Sequence, residues 1–249
     1  VPSQTETALF QRLYNYLTPD IPLTTPALSP VSYDDFIGTN PVLVSKDAFG
    51  EYQIYYRLGY PDNQGGCGKP VIYLYPTQKT TVSVRFGPSV TLSNSLPSYH
   101  QGWSVIANPD GTLINLADQK TYPYLYWDGV TAQSFPPVTK GYVVAKNLLH
   151  TFLTEQLEEY GLNNTERNDF LAYWLSKMQQ YPYYLIHFYT TPDLEAVIPE
   201  YIQPGPKTVF RILMWYSPLP GPVSIAPQKT PVPFKRTGFT VVEWGGTAY

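Results

Sequence analysis

Three charged residues sit where a chain normally keeps only apolar ones. Arg211 interrupts Val209-Phe210-Arg211-Ile212-Leu213-Met214-Trp215-Tyr216, Glu243 interrupts Phe239-Thr240-Val241-Val242-Glu243-Trp244, and Asp128 closes Tyr124-Leu125-Tyr126-Trp127. A charge in such a run is costly unless it is paired. Two of the three carry an indole beside them, Asp128 after Trp127 and Glu243 before Trp244. Indole and carboxylate together are the equipment of a sugar site, where the ring stacks on a pyranose face and the acid accepts hydroxyl protons or protonates a glycosidic oxygen. Trp127, Asp128, Arg211, Glu243 and Trp244 are therefore the candidate ligand-binding residues, with Asp128 and Glu243 as the alternative catalytic pair. The competing reading is architectural: Arg211 faces Glu243, or Asp128, in a buried ion pair, and Trp-Asp-Gly is a packed ring followed by a turn.

Other reactive groups are dispersed. Cys67 stands in a Gly-rich approach to an apolar run, where a thiol can be exposed, but no cysteine-hydrolase signature surrounds it and a half-buried structural thiol accounts for it better. His100, His150 and His187 lack the spacing of a metal site, so no metal is expected. No phosphate loop, nucleotide fingerprint or G-x-S-x-G elbow occurs, and no cofactor is expected.

The elements that must position these residues are β-rich. Val71-Ile72-Tyr73-Leu74-Tyr75 reads as a strand covered on both faces, and Thr81-Val82-Ser83-Val84-Arg85-Phe86 as one with a wet face. Trp103–Ala107 and Thr112–Leu116 flank Asn108-Pro109-Asp110-Gly111, a turn by composition. The block from Cys67 to Gly129 thus reads as a small antiparallel sheet unit. Tyr52–Leu58 is a further strand, and Ser3-Gln4-Thr5-Glu6 opens a short helix. Leu149, Phe152 or Leu153, Leu157 and Tyr160 form a helical stripe with Gly161 at the C-cap; Asn163-Asn164-Thr165-Glu166 then starts a second helix carrying Phe170, Leu171, Trp174, Leu175 and Met178. Tyr184–Tyr189, Val209–Tyr216 and Gly238–Gly246 are strands. The fold class that follows is α+β, a mostly antiparallel β-sheet with a sandwich-like β-rich N-terminal part and a helical hairpin packed on the sheet. Residues 1–45 read as an N-terminal helix and Pro-rich strap, 46–134 as a β-rich subdomain and 135–249 as an α+β subdomain that continues it.

Composition narrows the class of function. Of 249 residues only 14% are charged, against 43% hydrophobic, and the chain holds 26 Pro, 23 Tyr and 5 Trp. A net charge of −3 without a basic stripe gives no electrostatic reason to expect nucleic acid as a partner. No apolar run approaches the ~20 residues of a membrane helix. One cysteine excludes an intrachain disulfide, and the first residue being Val points to signal cleavage. That many aromatic rings predicts several at the surface, as in interfaces.

The motifs Cys67–Pro76 (CGKPVIYLYP), Tyr124–Gly129 (YLYWDG) and Gly238–Gly246 (GFTVVEWGG), with Asn168–Leu175, resemble a group of uncharacterised bacterial proteins that look exported. The resemblance covers residues from Lys46 to the end and implies export, with no established activity. Together these readings give a secreted, extracellular or cell-envelope structural and interaction protein, non-enzymatic and self-assembling, whose partners are its own copies or another envelope protein. The strap up to Pro41 is the candidate arm for reaching a neighbour. The alternative is a carbohydrate-binding module or glycoside hydrolase with a glycan partner.

Overall fold

The computed structural model describes residues 42–46, 52–56, 66–229 and 233–248, the backbone alone for 42–46, 52–56, 66–67 and 248. The N-terminal helix and the strap expected before Pro41 lie outside the described residues. The chain divides into two compact units, Val1–Asn63 and Gln64–Tyr249. In the first, β1 (Val42–Lys46) and β2 (Tyr52–Tyr56) form an antiparallel hairpin in which Val42 pairs with Tyr56.

The second unit has three layers. Its centre is an eight-stranded sheet built from β3 (Gly66–Tyr75), β5 (Val90–Leu96), β9 (Leu125–Thr131), β10 (Lys140–Ala145), β11 (Tyr183–Thr190), β13 (Thr208–Leu219), β14 (Ala226–Pro227) and β15 (Thr240–Ala248). The spatial order is β14-β10-β11-β13-β15-β3-β9-β5. A five-stranded sheet covers one face. It contains β4 (Thr80–Phe86), β6 (Trp103–Ala107), β7 (Leu113–Asn115), β8 (Thr121–Tyr122) and β12 (Glu200–Gln203), in the order β12-β4-β6-β7-β8. The other face carries α1 (Leu149–Glu159) and α2 (Asn164–Lys177). A short helix, α3 (Thr191–Val197), joins β11 to β12 and sends Leu194 and Val197 into the inter-sheet core. All pairings are antiparallel except β13 with β15 and β10 with β14. The α+β class with a mostly antiparallel sheet and a packed helical hairpin is thus the observed architecture.

Alternation along the central strands feeds two cores at once. Val71 and Tyr73 of β3, Phe210, Ile212 and Met214 of β13, and Val242 and Trp244 of β15 meet Leu153, Leu157, Phe170 and Trp174 of the hairpin. Ile72 and Leu74, Leu213, Val241 and Trp127 turn the other way, against Val82, Val84, Trp103 and Val105 of the second sheet. The expectation that Cys67–Gly129 is one sheet unit is corrected here. β3, β5 and β9 belong to the central sheet, and β4, β6, β7 and β8 to the covering one; the apolar β3 needs two covered faces, the half-polar β4 needs one, and the polar β5 takes the sheet's edge. The subdomain boundary near residue 135 likewise does not divide the molecule, since β3 and β9 lie in one sheet with β15 and β13.

Local signals behave as their chemistry requires. Gly161 ends the first helix at φ +94°, and Asn163 caps the second, with Glu166 closing a reciprocal capping box. Gly111 takes φ +90° in the 108–111 turn, its N–H donating to the Asn108 carbonyl at 2.9 Å. Arg236 holds the segment before β15 onto α2 by a forked contact with Glu166, Nη1 to Oε1 at 3.0 Å and Nη2 to Oε2 at 2.5 Å. Phe234 in the same segment stacks on Phe210 at 4.3 Å.

The aromatic rings mostly face inward. Trp103, Trp127, Trp174 and Trp244 are buried, and of the described tyrosines only Tyr181 and Tyr201 are prominently exposed. The expected surface display of rings is therefore largely absent among the described residues, because three stacked layers present two apolar interfaces to fill rather than one.

Close packing of α2 on the sheet requires a bare backbone at Gly246, where an added Cβ would come within 2.5 Å of the Trp174 ring. Gly246→Ala is expected to lower stability by about 1–3 kcal/mol, or roughly 2–12 °C in Tm. Gly205→Ala, which meets nothing within 4 Å, should leave Tm nearly unchanged in the same thermal melts.

Candidate functional site

β13 and β15 run parallel in the register that sets Arg211 beside Glu243. Both side chains project into the space between the two sheets, each 1% exposed. Arg211 Nε donates to Glu243 Oε2 at 2.6 Å, and Nη1 donates to the Ile198 carbonyl at 2.8 Å. Nη2 lies 3.1 Å from Oε1 of Glu200, a carboxylate brought in by β12 of the covering sheet. That last contact is an ion pair without hydrogen-bond alignment, which leaves Nη2 and both Glu200 oxygens short of an aligned partner. Glu243 Oε1 accepts from Trp127 Nε1 of β9 at 3.0 Å, so both of its oxygens are engaged.

One guanidinium thus faces two carboxylates in a dry interior. Burial pushes Glu200 well above the ordinary glutamate range; Arg211 opposes the shift and the neighbouring Glu243 adds to it. A protonated Glu200 leaves one cation and one anion, the neutral sum that a low-dielectric interior favours. Burial works against the Arg211 charge, and the neighbouring acidic groups Glu200 and Glu243 more than offset it. Sequence reasoning missed Glu200, which lies in a four-residue strand beside the exposed Tyr201 and gives no apolar periodicity to mark it.

Asp128 is elsewhere. It follows Trp127 in β9, so the pleat sends it to the opposite face of the central sheet. There Oδ1 accepts from the Lys69 N–H at 2.6 Å, and Oδ2 accepts from the Tyr126 hydroxyl. The Lys69 ammonium lies over the rings of Tyr173 (4.8 Å) and Tyr126 (5.5 Å). Lys69 takes φ +46° inside a bulge of β3, a conformation a lysine adopts only when held, and Asp128 is what holds its backbone. Burial, with Asp128 adding to it, pushes the Tyr126 phenol upward, so it remains a proton donor.

Three of the five sequence-selected residues, Trp127, Arg211 and Glu243, are brought together. Trp244 is buried on the helical side against Phe170, and Asp128 sits on that side at the sheet margin. Two consequences are chemical. Asp128 and Glu243 cannot flank one glycosidic bond across the thickness of a sheet. Neither Trp127 nor Trp244, at 1% and 0% exposure, presents a face to a sugar. Cys67 falls in β3 with its side chain outside the described residues. Among the described residues no group of three His, Cys, Asp or Glu is placed to hold a metal ion.

The motifs that carry the sequence resemblance converge. Gly68 and Lys69, Tyr126 and Asp128, Gly246, and Tyr173 with Trp174 of α2 all meet at the junction of β3, β9, β15 and α2. A stretch of 75 residues is 39% identical to the uncharacterized protein in the bglA 3′ region of Butyrivibrio fibrisolvens, covering 28% of this chain and 76% of that protein. The chain belongs to the same family as that protein. No family model matches the chain, and no solved structure matches it. The shared family carries no activity in its description, so the chemistry of this member rests on its own geometry.

That geometry gives a stability prediction. Arg211→Met strands the Glu243 carboxylate and should cost about 3–5 kcal/mol, whereas Glu200→Gln should be nearly neutral in acid. Because the folded pKa of Glu200 is raised, the folded state holds a proton that the unfolded state releases near pH 4.3. Its contribution is complete below that value and falls as pH rises toward the raised folded value. Denaturant titrations over the pH range should show Glu200→Gln removing that portion of the slope.

Proposed function

We propose that this is an exported bacterial envelope or extracellular protein that works by contact and associates with its own copies. The observation that carries the reading is β5. It is the outermost strand of the central sheet, and among the described residues no strand pairs with its outer edge. Its sequence, Val-Thr-Leu-Ser-Asn-Ser-Leu, has no charge and no proline. Exposed strand edges are ordinarily blunted by Lys, Pro or very short length, because bare N–H and C=O groups recruit another strand. Seven uncharged residues do the opposite.

The surface beside that edge supports the same reading. The helices cover the centre of the sheet, and at its β5 margin Leu96 is 54% exposed and Val130 36% exposed. The register pairs Leu96 with Tyr126, Asn94 with Asp128 and Thr91 with Val130, so these residues share one face. A second copy meeting this edge across a two-fold axis would pair β5 with β5 in antiparallel fashion. Like charges would not face each other there, since the strand has none. The carboxylates and the arginine of the interior serve architecture in this reading, each being held by the partners described above.

Light scattering over a range of concentrations tests it. The wild-type chain should give a dimer or larger assembly, and Ser93→Lys, at an exposed position of β5, should give a monomer with unchanged Tm. A wild-type chain that stays monomeric at high micromolar concentration would sink the proposal.

A further inference from the structure

The outer face of the five-stranded sheet holds a second set of groups that the packing leaves unused. We infer that this face binds an acidic polysaccharide, with a sugar ring against Tyr201 and the anionic substituent on Arg85. β12 and β4 pair so that Tyr201 lies opposite Arg85 and Gln203 opposite Ser83, while β6 sets Ser104 opposite Ser83. Cross-strand neighbours stand about 5 Å apart, so these side chains form one continuous array on the solvent side. Tyr201 is 59% exposed, the largest value among the exposed apolar and aromatic residues.

Next to it is an open depression of ≈ 450 Å³, whose polar lining is Ser83, Arg85, His100, Gln101 and Ser104. A guanidinium, an imidazole, two hydroxyls and an amide suit sugar hydroxyls and an oxyanion, and no carboxylate lines the space. Arg85 has no ion pair among the described residues, because the acid of the adjacent strand, Glu200, turns inward to Arg211. The charge that the interior network withdraws from this face is what leaves Arg85 free for an external anion in a chain of net charge −3.

The depression is built rather than incidental. Its loop is fixed from below: Trp103 Nε1 donates to the Pro97 carbonyl at 2.8 Å, the Gly102 N–H donates to the Tyr99 carbonyl at 2.7 Å, and the Tyr99 hydroxyl accepts from the Phe86 N–H at 2.8 Å. Tyr99 also packs edge-on against Trp103 at 4.9 Å. His100 is held at φ +49°, and Gly102, at φ +139°, leaves space that the Arg85 stem occupies, since a Cβ there would stand 2.8 Å from Arg85 Cγ. A loop ordered before the ligand arrives loses little entropy on binding.

Isothermal titration of the full chain with oligogalacturonate, a phosphomannan oligosaccharide and cellohexaose tests the inference. At least one anionic probe should bind more tightly than the neutral one, and which of the two does so identifies a carboxylate or a phosphate source. Arg85→Gln and Tyr201→Ala, both at exposed positions, should each weaken that binding by about tenfold or more while Tm is preserved. Absence of binding to both anionic probes would overturn the inference. Equal binding of cellohexaose, or folded variants that bind as the wild type does, would overturn it as well.

Discussion

The second unit depends on one guanidinium shared between two sheets. Arg211 reaches Glu243 in its own sheet and Glu200 in the other, and takes the Ile198 carbonyl on the way. Apolar packing alone would let two twisted sheets slide over one another at small cost, since dispersion contacts are not directional. A buried cation with hydrogen-bonded partners at fixed angles admits one register. The interior accepts the arrangement because it sums to neutrality, with the second carboxylate keeping its proton.

That network also divides the molecule's polar chemistry between inside and outside. Glu200 and Glu243 are spent on Arg211, and Asp128 is spent on the Lys69 bulge and Tyr126. What remains at the surface is of two kinds: an uncharged strand edge at β5 with half-covered apolar neighbours, and a carboxylate-free array on β4, β6 and β12. A chain with few charges thus has two surfaces of different character, because the acids nearest to them, Asp128 and Glu200, are engaged elsewhere.

The junction of β3, β9, β15 and α2 brings together the four segments on which the sequence resemblance rests. Gly246 gives the Trp174 indole its place, Lys69 adopts a left-handed turn secured by Asp128, and the Tyr173 and Tyr126 rings cover the ammonium. Each motif supplies one side of a single packed corner, so residues as far apart in sequence as Gly68 and Gly246 stand within a few ångströms in space. Glycine and aspartate inside strands, where they read locally as turn residues, are here the parts that let a helix sit tightly on a sheet margin.

Much of this was legible in the chain itself. Residues 184–189, 209–216 and 238–246 announce strands by predominantly apolar runs, and the helical hairpin announces itself through Gly161 and the Asn163 capping box, because these signals are local and the backbone obeys them locally. The pairing of Arg211 with Glu243 was open to inference as one of two readings, since each charge needed a partner. β5, β10 and β12 left no such mark: their residues are mixed or polar, and they are strands because neighbours offer them hydrogen bonds. Glu200 joins the buried network, and Asp128 departs from it, by the choice of sheet and by the pleat. Sequence determined which residues could not stay in water. Only the folded chain decided which face each of them left it by, because that depends on strand register, a property of pairs of segments far apart along the chain.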